Sequence, residues 1–340
     1  MMGDAMMVDA GQSSSKPSKN QIPWVEKYRP KTLNDVLGHS ETVAYLKKAS
    51  QDGNLQHLLF SGPPGVGKTT SLMCLAHDML GSKHIKEGLL RLNASDDRGI
   101  DTVRERIKLF ATKLVRFPAG CHKIVFLDEA DGMTKAAQQA LRATMEECAK
   151  STRFVLSCNN SRKIIEPIQS RCAIVRFSKL SDKELLKRLM DVCQKENVTY
   201  DEGGLEMVIF VADGDMRRGL QSLQATYNAF TTVSRENVAK LCPLPPPLMI
   251  KKLLTQCLAG DIHMGLNIIQ EIMDLGYTGV DLVSTLFKIV NRDQDLEEFL
   301  KLEYIKLIGM SHMRMLQGYS SPAQVMELAA DLCECSEKCR

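Results

Sequence analysis

Short unbroken apolar runs alternate with stretches in which apolar residues return every three or four positions. The runs occupy 58–61, 89–93, 124–127, 154–158 and 174–177. Runs of this length suit strands buried on both faces, and helical stretches between them suit a parallel sheet covered on each side. Residues 21–178 therefore read as one α/β domain. After Phe177 the strand signals stop. Ser181 to Glu184 has the form of a capping box, and Leu185, Leu186, Leu189 and Val192 stripe the helix it would open. A second helix is expected around Leu205 to Val211, and a third from near Asp215 through Leu220, Leu223 and Tyr227. Residues 179–242 thus read as a small helical domain. The proline-rich run at 243–247 punctuates the chain as a linker would. Beyond it, Leu253, Leu254, Cys257 and Leu258, then Leu266, Ile269, Ile272 and Met273, mark helices of a third domain over 243–340. Residues 1–20 show no periodicity and read as a disordered arm.

Composition narrows the class without naming a chemistry. Hydrophobic residues make up 44% and charged residues 25% of the 340, which excludes a fully disordered chain. The six residues from Met207 to Ala212 form one of the longest apolar runs, against roughly 20 for a membrane span, so no membrane partner is expected. Aromatic residues are 5%, too few for a surface of base-stacking platforms. The net charge of +3 says little about partners. Locally, residues 83–123 hold ten Lys+Arg against five Asp+Glu, a balance of +5. Eleven cysteines are scattered without a CxxC pair, and no apolar signal core precedes them, so free thiols in a reducing compartment are expected. Cys333, Cys335 and Cys339 lack the spacing and the fourth ligand of a zinc site.

Two segments carry chemistry. Gly62-Pro63-Pro64-Gly65-Val66-Gly67-Lys68-Thr69, followed by Thr70, matches GxxxxGK[ST] and stands between an expected strand and a helix containing Leu72, Leu75 and Ala76. Its glycines would let the backbone wrap phosphates, and the helix N-terminus favours an anion. Lys68 would reach the β/γ-phosphates of a nucleotide such as ATP, and the Thr69 hydroxyl would hold Mg²⁺. The run at 124–127 ends in Asp128, Glu129 and Asp131. Asp128 would contact Mg²⁺, and Glu129 would orient or deprotonate the attacking water. Asp128 to Asp131 also spells the DEAD tetrapeptide of a helicase family. No Ser-Ala-Thr element follows, and the chain turns helical after 178 instead of forming a second α/β domain.

Further segments align with one family. They are Pro23-Trp24-Val25-Glu26-Lys27-Tyr28-Arg29-Pro30, Leu92-Asn93-Ala94-Ser95-Asp96-Asp97-Arg98, Cys158-Asn159-Asn160-Ser161, Glu166 to Cys172 containing Ser170-Arg171-Cys172, and Gly214-Asp215-Met216-Arg217. Together they resemble the small subunits of replication factor C, the eukaryotic clamp loader of the AAA+ superfamily, from about Ile22 to beyond Gly309. The resemblance implies a P-loop AAA+ parallel-sheet domain, a helical lid over 179–242 and an all-helical collar over 243–340. It implies an ATP- and Mg²⁺-dependent ATPase in a nuclear heteropentamer. Its partners would be other replication factor C subunits, a PCNA-type sliding clamp and primer-template DNA bound without sequence preference.

By the same resemblance, Tyr28, Arg29 and Pro30 would border the adenine, and Asn159 would position the attacking water. Arg217 would reach the γ-phosphate from the first turn of a lid helix. A cation there opposes the helix dipole, which favours function over a surface role. Arg171 would act in trans as an arginine finger on the neighbouring subunit's ATP. Asn93 would either restrain Glu129 as a switch or cap a helix. Arg98, Arg104, Lys108, Arg162 and Lys163 would follow duplex phosphates. Ile107, Phe110 and Ala111 would form an apolar patch that can dock on the clamp, with a core role the alternative for Phe110. Two rivals stand beside this reading: a branch-migration type DNA motor and a non-catalytic ATP-binding scaffold subunit.

Overall fold

The computed structural model describes residues 22–338, apart from 54, 94–99, 114, 116–120, 243 and 320. Five parallel strands form its central sheet. They are β1 (Leu58–Ser61), β2 (Leu89–Asn93), β3 (Lys123–Asp128), β4 (Thr152–Cys158) and β5 (Ala173–Arg176), in the order β2-β3-β4-β1-β5. Alternate residues of each strand enter different cores. Leu58, Phe60, Ile124, Phe126 and Val155 pack on one face with Leu72 and Leu75. Leu59, Val125, Leu127, Phe154 and Leu156 pack on the other with Ile107, Leu141 and Met145. Period-two side chains buried on both faces explain why these strands read as continuous apolar runs.

The helices in this region are α1 (Trp24–Lys27), α2 (Ser40–Asp52), α3 (Lys68–Gly88), α4 (Ile100–Thr112), α5 (Lys135–Glu147) and α6 (Glu166–Gln169). Helix α3 bends at Gly81, whose φ is 66°. Every strand is parallel, so the C-terminal ends of β1, β3 and β4 share one edge, where open α/β sheets place their ligands.

The next segment contains α7 (Asp182–Glu196), α8 (Glu202–Ala212), α9 (Met216–Phe230) and α10 (Arg235–Leu241). Ser181 and Glu184 form the expected capping box. The segment is not wholly helical. Thr199–Tyr200 (β6) and Thr232–Val233 (β7) pair in parallel, and Gly204 lets the start of α8 approach them: an added Cβ would lie 2.3 Å from the Val233 carbonyl oxygen. Trp24 joins this segment to the N-terminus. It packs with Leu189, Leu220 and Leu223 in this helical core. Its backbone N–H donates to Gln224 Oε1 at 2.9 Å, and its ring lies 5.7 Å from that of Tyr227.

Five helices follow: α11 (Pro247–Ala259), α12 (Ile262–Asp274), α13 (Gly279–Arg292), α14 (Glu298–Leu316) and α15 (Pro322–Lys338). Pro247 takes the first position of α11, where its missing N–H costs nothing. A separate core including Ile250, Leu286, Tyr304 and Leu328 unites them. Among the described residues, no helix is long and apolar enough to cross a membrane.

Candidate active site

The loop after β1 is built around Lys68, the first residue of α3. Its Nζ donates to the carbonyls of Gly62 at 2.5 Å and Pro63 at 2.8 Å, and to Asn159 Oδ1 at 2.9 Å. Burial lowers its pKa, against the opposing pull of Cys158, Asp128 and Asp131. Neutral carbonyls bind a cation less strongly than a phosphate does, so they hold the amine in place and can yield it. Gly65 and Gly67 have φ of 70° and 100°, the left-handed region that glycine enters without strain. Gly65 also lies against the start of α9. A Cβ there would fall 1.6 Å from Asp215 Oδ1, and the Met216 N–H donates to the Gly65 carbonyl at 3.3 Å.

Asp128 ends β3 beside this loop. Its Oδ2 accepts from the Thr69 hydroxyl at 3.1 Å and from Arg91 at 3.3 Å. A hydroxyl and a carboxylate side by side are hard oxygen donors of the kind Mg²⁺ takes. Glu129 leaves the strand with φ 53°, an uncommon conformation for a non-glycine residue and one found often at functional sites. Asn93 pairs in register with Asp128, which sets it beside the root of Glu129. Asp131, on the following turn, accepts the backbone N–H groups of Asn159 and Asn160, each at 3.3 Å.

A pocket opens between this sheet edge and α7 and α9. Tyr28, Arg29, Pro30, Pro64, Gly65, Val66, Gly67, Lys68, Thr69, Thr70, Asp128, Glu129, Asn159 and Arg217 all line it. Gly62 and Pro63 contribute through the carbonyls on Lys68. Away from the phosphate loop the lining gains apolar residues, Val36, Leu37, Leu180, Met216 and Leu220. An anion-binding end and an apolar end suit the triphosphate and base of ATP. Tyr28 turns its hydroxyl to Glu196 on α7 at 2.8 Å, and Lys27 reaches the same carboxylate at 2.7 Å. Arg188 of α7 donates to the Tyr28 carbonyl and pairs with Asp191 at 3.1 Å. Asp35, Leu180 and Arg188 are lining residues that no motif marks. Their place follows from how the N-terminal segment crosses α7, which no local spacing reveals.

Comparison with known proteins agrees with this architecture. Residues 58–180 match the family model "ATPase family associated with various cellular activities (AAA)", and residues 245–331 match "Replication factor C C-terminal domain". Replication factor C subunit 2 of Arabidopsis thaliana is 50% identical over 96% of this chain and 97% of its own. Replication factor C subunit 4 of Saccharomyces cerevisiae is 48% identical over 95% and 99%. The chain belongs to the replication factor C small-subunit family. It is an AAA ATPase of the clamp-loader type, and the archaeal replication factor C small subunit of Methanococcus maripaludis is 42% identical over 92% of it. Solved structures of Thermotoga maritima RuvB share the fold. One of them, a point variant, has a TM-score of 0.53 at 20% identity over 77% of this chain and 89% of its own.

Residues that the replication factor C resemblance assigned outside the pocket lie on other faces. Arg171 is exposed, pairs with Glu146 on α5 at 2.6 Å and donates to the Pro167 carbonyl at 2.8 Å. It precedes Ala173, which pairs with Leu58 at the start of β1, whereas the phosphate loop follows the end of β1. Arg162 and Lys163 are exposed on a short turn capped by Asn160. Lys108 pairs with Glu147 at 3.0 Å. Arg98 and the side chain of Arg104 lie outside the described residues. One expectation is corrected. Ile107 and Ala111 are 1% and 8% exposed, so with the half-buried Phe110 they face the core and form no docking patch; among the described side chains of α4, Leu109 is the exposed apolar one. The basic surplus of 83–123 overstates the free charge as well. Lys123 is buried on backbone carbonyls, and Arg91 is paired with Asp128.

Proposed function

We propose that this chain is an ATP-hydrolysing subunit of a nuclear heteropentameric clamp loader that opens a PCNA-type sliding clamp and leaves it on primer-template DNA. The observation that carries the catalytic half of this reading is the convergence of Lys68, Thr69, Asp128, Glu129 and Asn159 on one pocket edge. Lys68 and the loop amides would hold the phosphates, and Thr69 and Asp128 would hold Mg²⁺, which when bound would neutralise phosphate charge. Glu129 and Asn159 orient the water, and Arg217 reaches over from α9. Tyr28, Arg29 and Pro30 border the base.

Arg171 completes a neighbour's site. Its separation from its own phosphate loop by the length of β1, roughly 13 Å at about 3.3 Å per residue, argues against a role in cis. Arg162 and Lys163, with Arg98, Arg104 and Lys108, contact DNA phosphates, and Asn93 restrains Glu129 until DNA arrives. Residues 21–178, 179–242 and 243–340 serve as motor, lid and collar.

The test is steady-state ATP hydrolysis by the chain alone, by its complex with companion subunits, by that complex with clamp, and with clamp and primed DNA. Hydrolysis is expected to be weak alone and strongest in the last setting, with Lys68→Ala removing this chain's share. An isolated chain that hydrolyses ATP rapidly and ignores clamp and DNA would overturn the reading in favour of an independent motor.

A further inference from the structure

Asp131 lies three residues beyond the strand-end aspartate, on the turn that begins at Glu129. The chemistry above gives it no task. Its side chain nevertheless reaches across to the loop after β4, where Oδ2 accepts two consecutive backbone N–H groups, those of Asn159 and Asn160. Asn159 in turn presents its own Oδ1 to Lys68 at 2.9 Å. The Asn160 side chain accepts from the Arg162 N–H at 3.0 Å and starts the turn that carries Arg162 and Lys163.

One carboxylate oxygen therefore ties the turn of Glu129 to the loop of Asn159. A charged acceptor holds backbone donors more firmly than a neutral one. Without it, Asn159 would be anchored by the pairing of β4 with β3 and by its side-chain hydrogen bond to Lys68, neither of which holds its own backbone N–H. We propose that Asp131 is a positioning residue for hydrolysis: it sets the backbone of Asn159 relative to Glu129 and so holds the amide and the carboxylate in register for the attacking water. The proposal rests on the ATPase reading of this pocket. It also links the hydrolytic centre to the Arg162–Lys163 turn through adjacent backbone groups.

The test uses the full complex, with companion subunits carrying glutamine for their own strand-end glutamates, so that hydrolysis reports this chain's site. Misplacement by about 1 Å of a group that orients a reactant can cost ~10²-fold in rate. Asp131→Ala is expected to lower kcat at least tenfold while the Kd for a fluorescent ATP analogue changes less than threefold. Asp131→Asn, which keeps an oxygen acceptor, should recover part of the rate. In an Asn159→Ala background, Asp131→Ala should cost little more, since the positioned group is already gone. Full additivity of the two substitutions, an unchanged kcat in Asp131→Ala, or a loss explained by a lower unfolding midpoint in both Asp131 variants would overturn the proposal. Glu129→Gln is the control for the underlying reading. If it leaves hydrolysis intact, the site assignment itself fails. If it abolishes hydrolysis while the Asp131 variants do nothing, only the positioning role fails.

Discussion

At the residue scale, the phosphate loop shows why some positions were legible and others not. Lys68, Thr69 and Asp128 announce themselves because a motif fixes both residue type and spacing. Arg188 and Asp131 do not, because their partners Tyr28 and Asn159 are remote in sequence and meet them only through the fold. The two inner glycines make a sharper case. In sequence they look alike, and both have left-handed backbones. Only Gly65 is pressed against another residue, Asp215 at the N-cap of α9, whereas a Cβ on Gly67 would meet nothing within 4 Å. Gly65→Ala is therefore expected to destabilise the chain by more than the roughly 1–3 kcal/mol of backbone strain alone, and to weaken nucleotide binding by displacing α9. Gly67→Ala should show the strain without the displacement. Chemical denaturation and nucleotide titration of both variants check this, and equal effects would contradict it.

At the element scale, strands read well and the surface of α4 read poorly. Unbroken apolar runs have one stable placement, between two layers of helices, so the strands fall where the pattern puts them. The charges of α4 and its neighbours follow no such rule, since a lysine can point outward or turn in. Lys123 turns in. It is 5% exposed, and its amine donates to the carbonyls of Phe110 at 2.8 Å and Ala111 at 2.7 Å, and to that of Lys113. These are carbonyls at the end of α4, which the helix itself cannot satisfy. Burial lowers the Lys123 pKa, while three carbonyls at the negative end of the helix supply hydrogen bonds to its amine. Replacing Lys123 with Met keeps the stem and strands the acceptors, at a cost of about 1–3 kcal/mol. Urea denaturation should show that loss, together with faster amide exchange in the last turn of α4. A variant as stable as the parent would mean that water serves those carbonyls equally well.

At the scale of the whole molecule, the sheet region and the two helical segments are joined by contacts between their cores. The N-terminal segment runs from the α7–α9 core, through Trp24, to the pocket wall at Tyr28. Asp213, just before the turn that leads into α9, pairs with Lys179 at 2.9 Å and with Lys288 of α13 at 3.5 Å. Phe210 of α8 lies under both Lys288 and Arg292. The helix that carries Arg217 thus follows directly on contacts with the C-terminal helices. The prolines between the second and third parts are plain in the sequence, yet nothing there signals that Trp24 straps the N-terminus to the second. That contact depends on tertiary packing alone.

In the clamp-loader reading, Arg171 serves a neighbour's pocket while Glu129 serves this chain's own. The direct measurement is single-turnover phosphate release from assembled complexes in which only one of the two sites can hydrolyse. One complex keeps Glu129 and carries glutamine at the equivalent glutamate of every companion. The other carries Glu129→Gln and keeps the glutamate of the adjoining subunit. Arg171→Ala is expected to leave release from the first complex nearly unchanged and to slow release from the second by roughly 10³-fold or more. Loss of release from the first complex, with the second unaffected, would place Arg171 in its own chain's site and contradict the account.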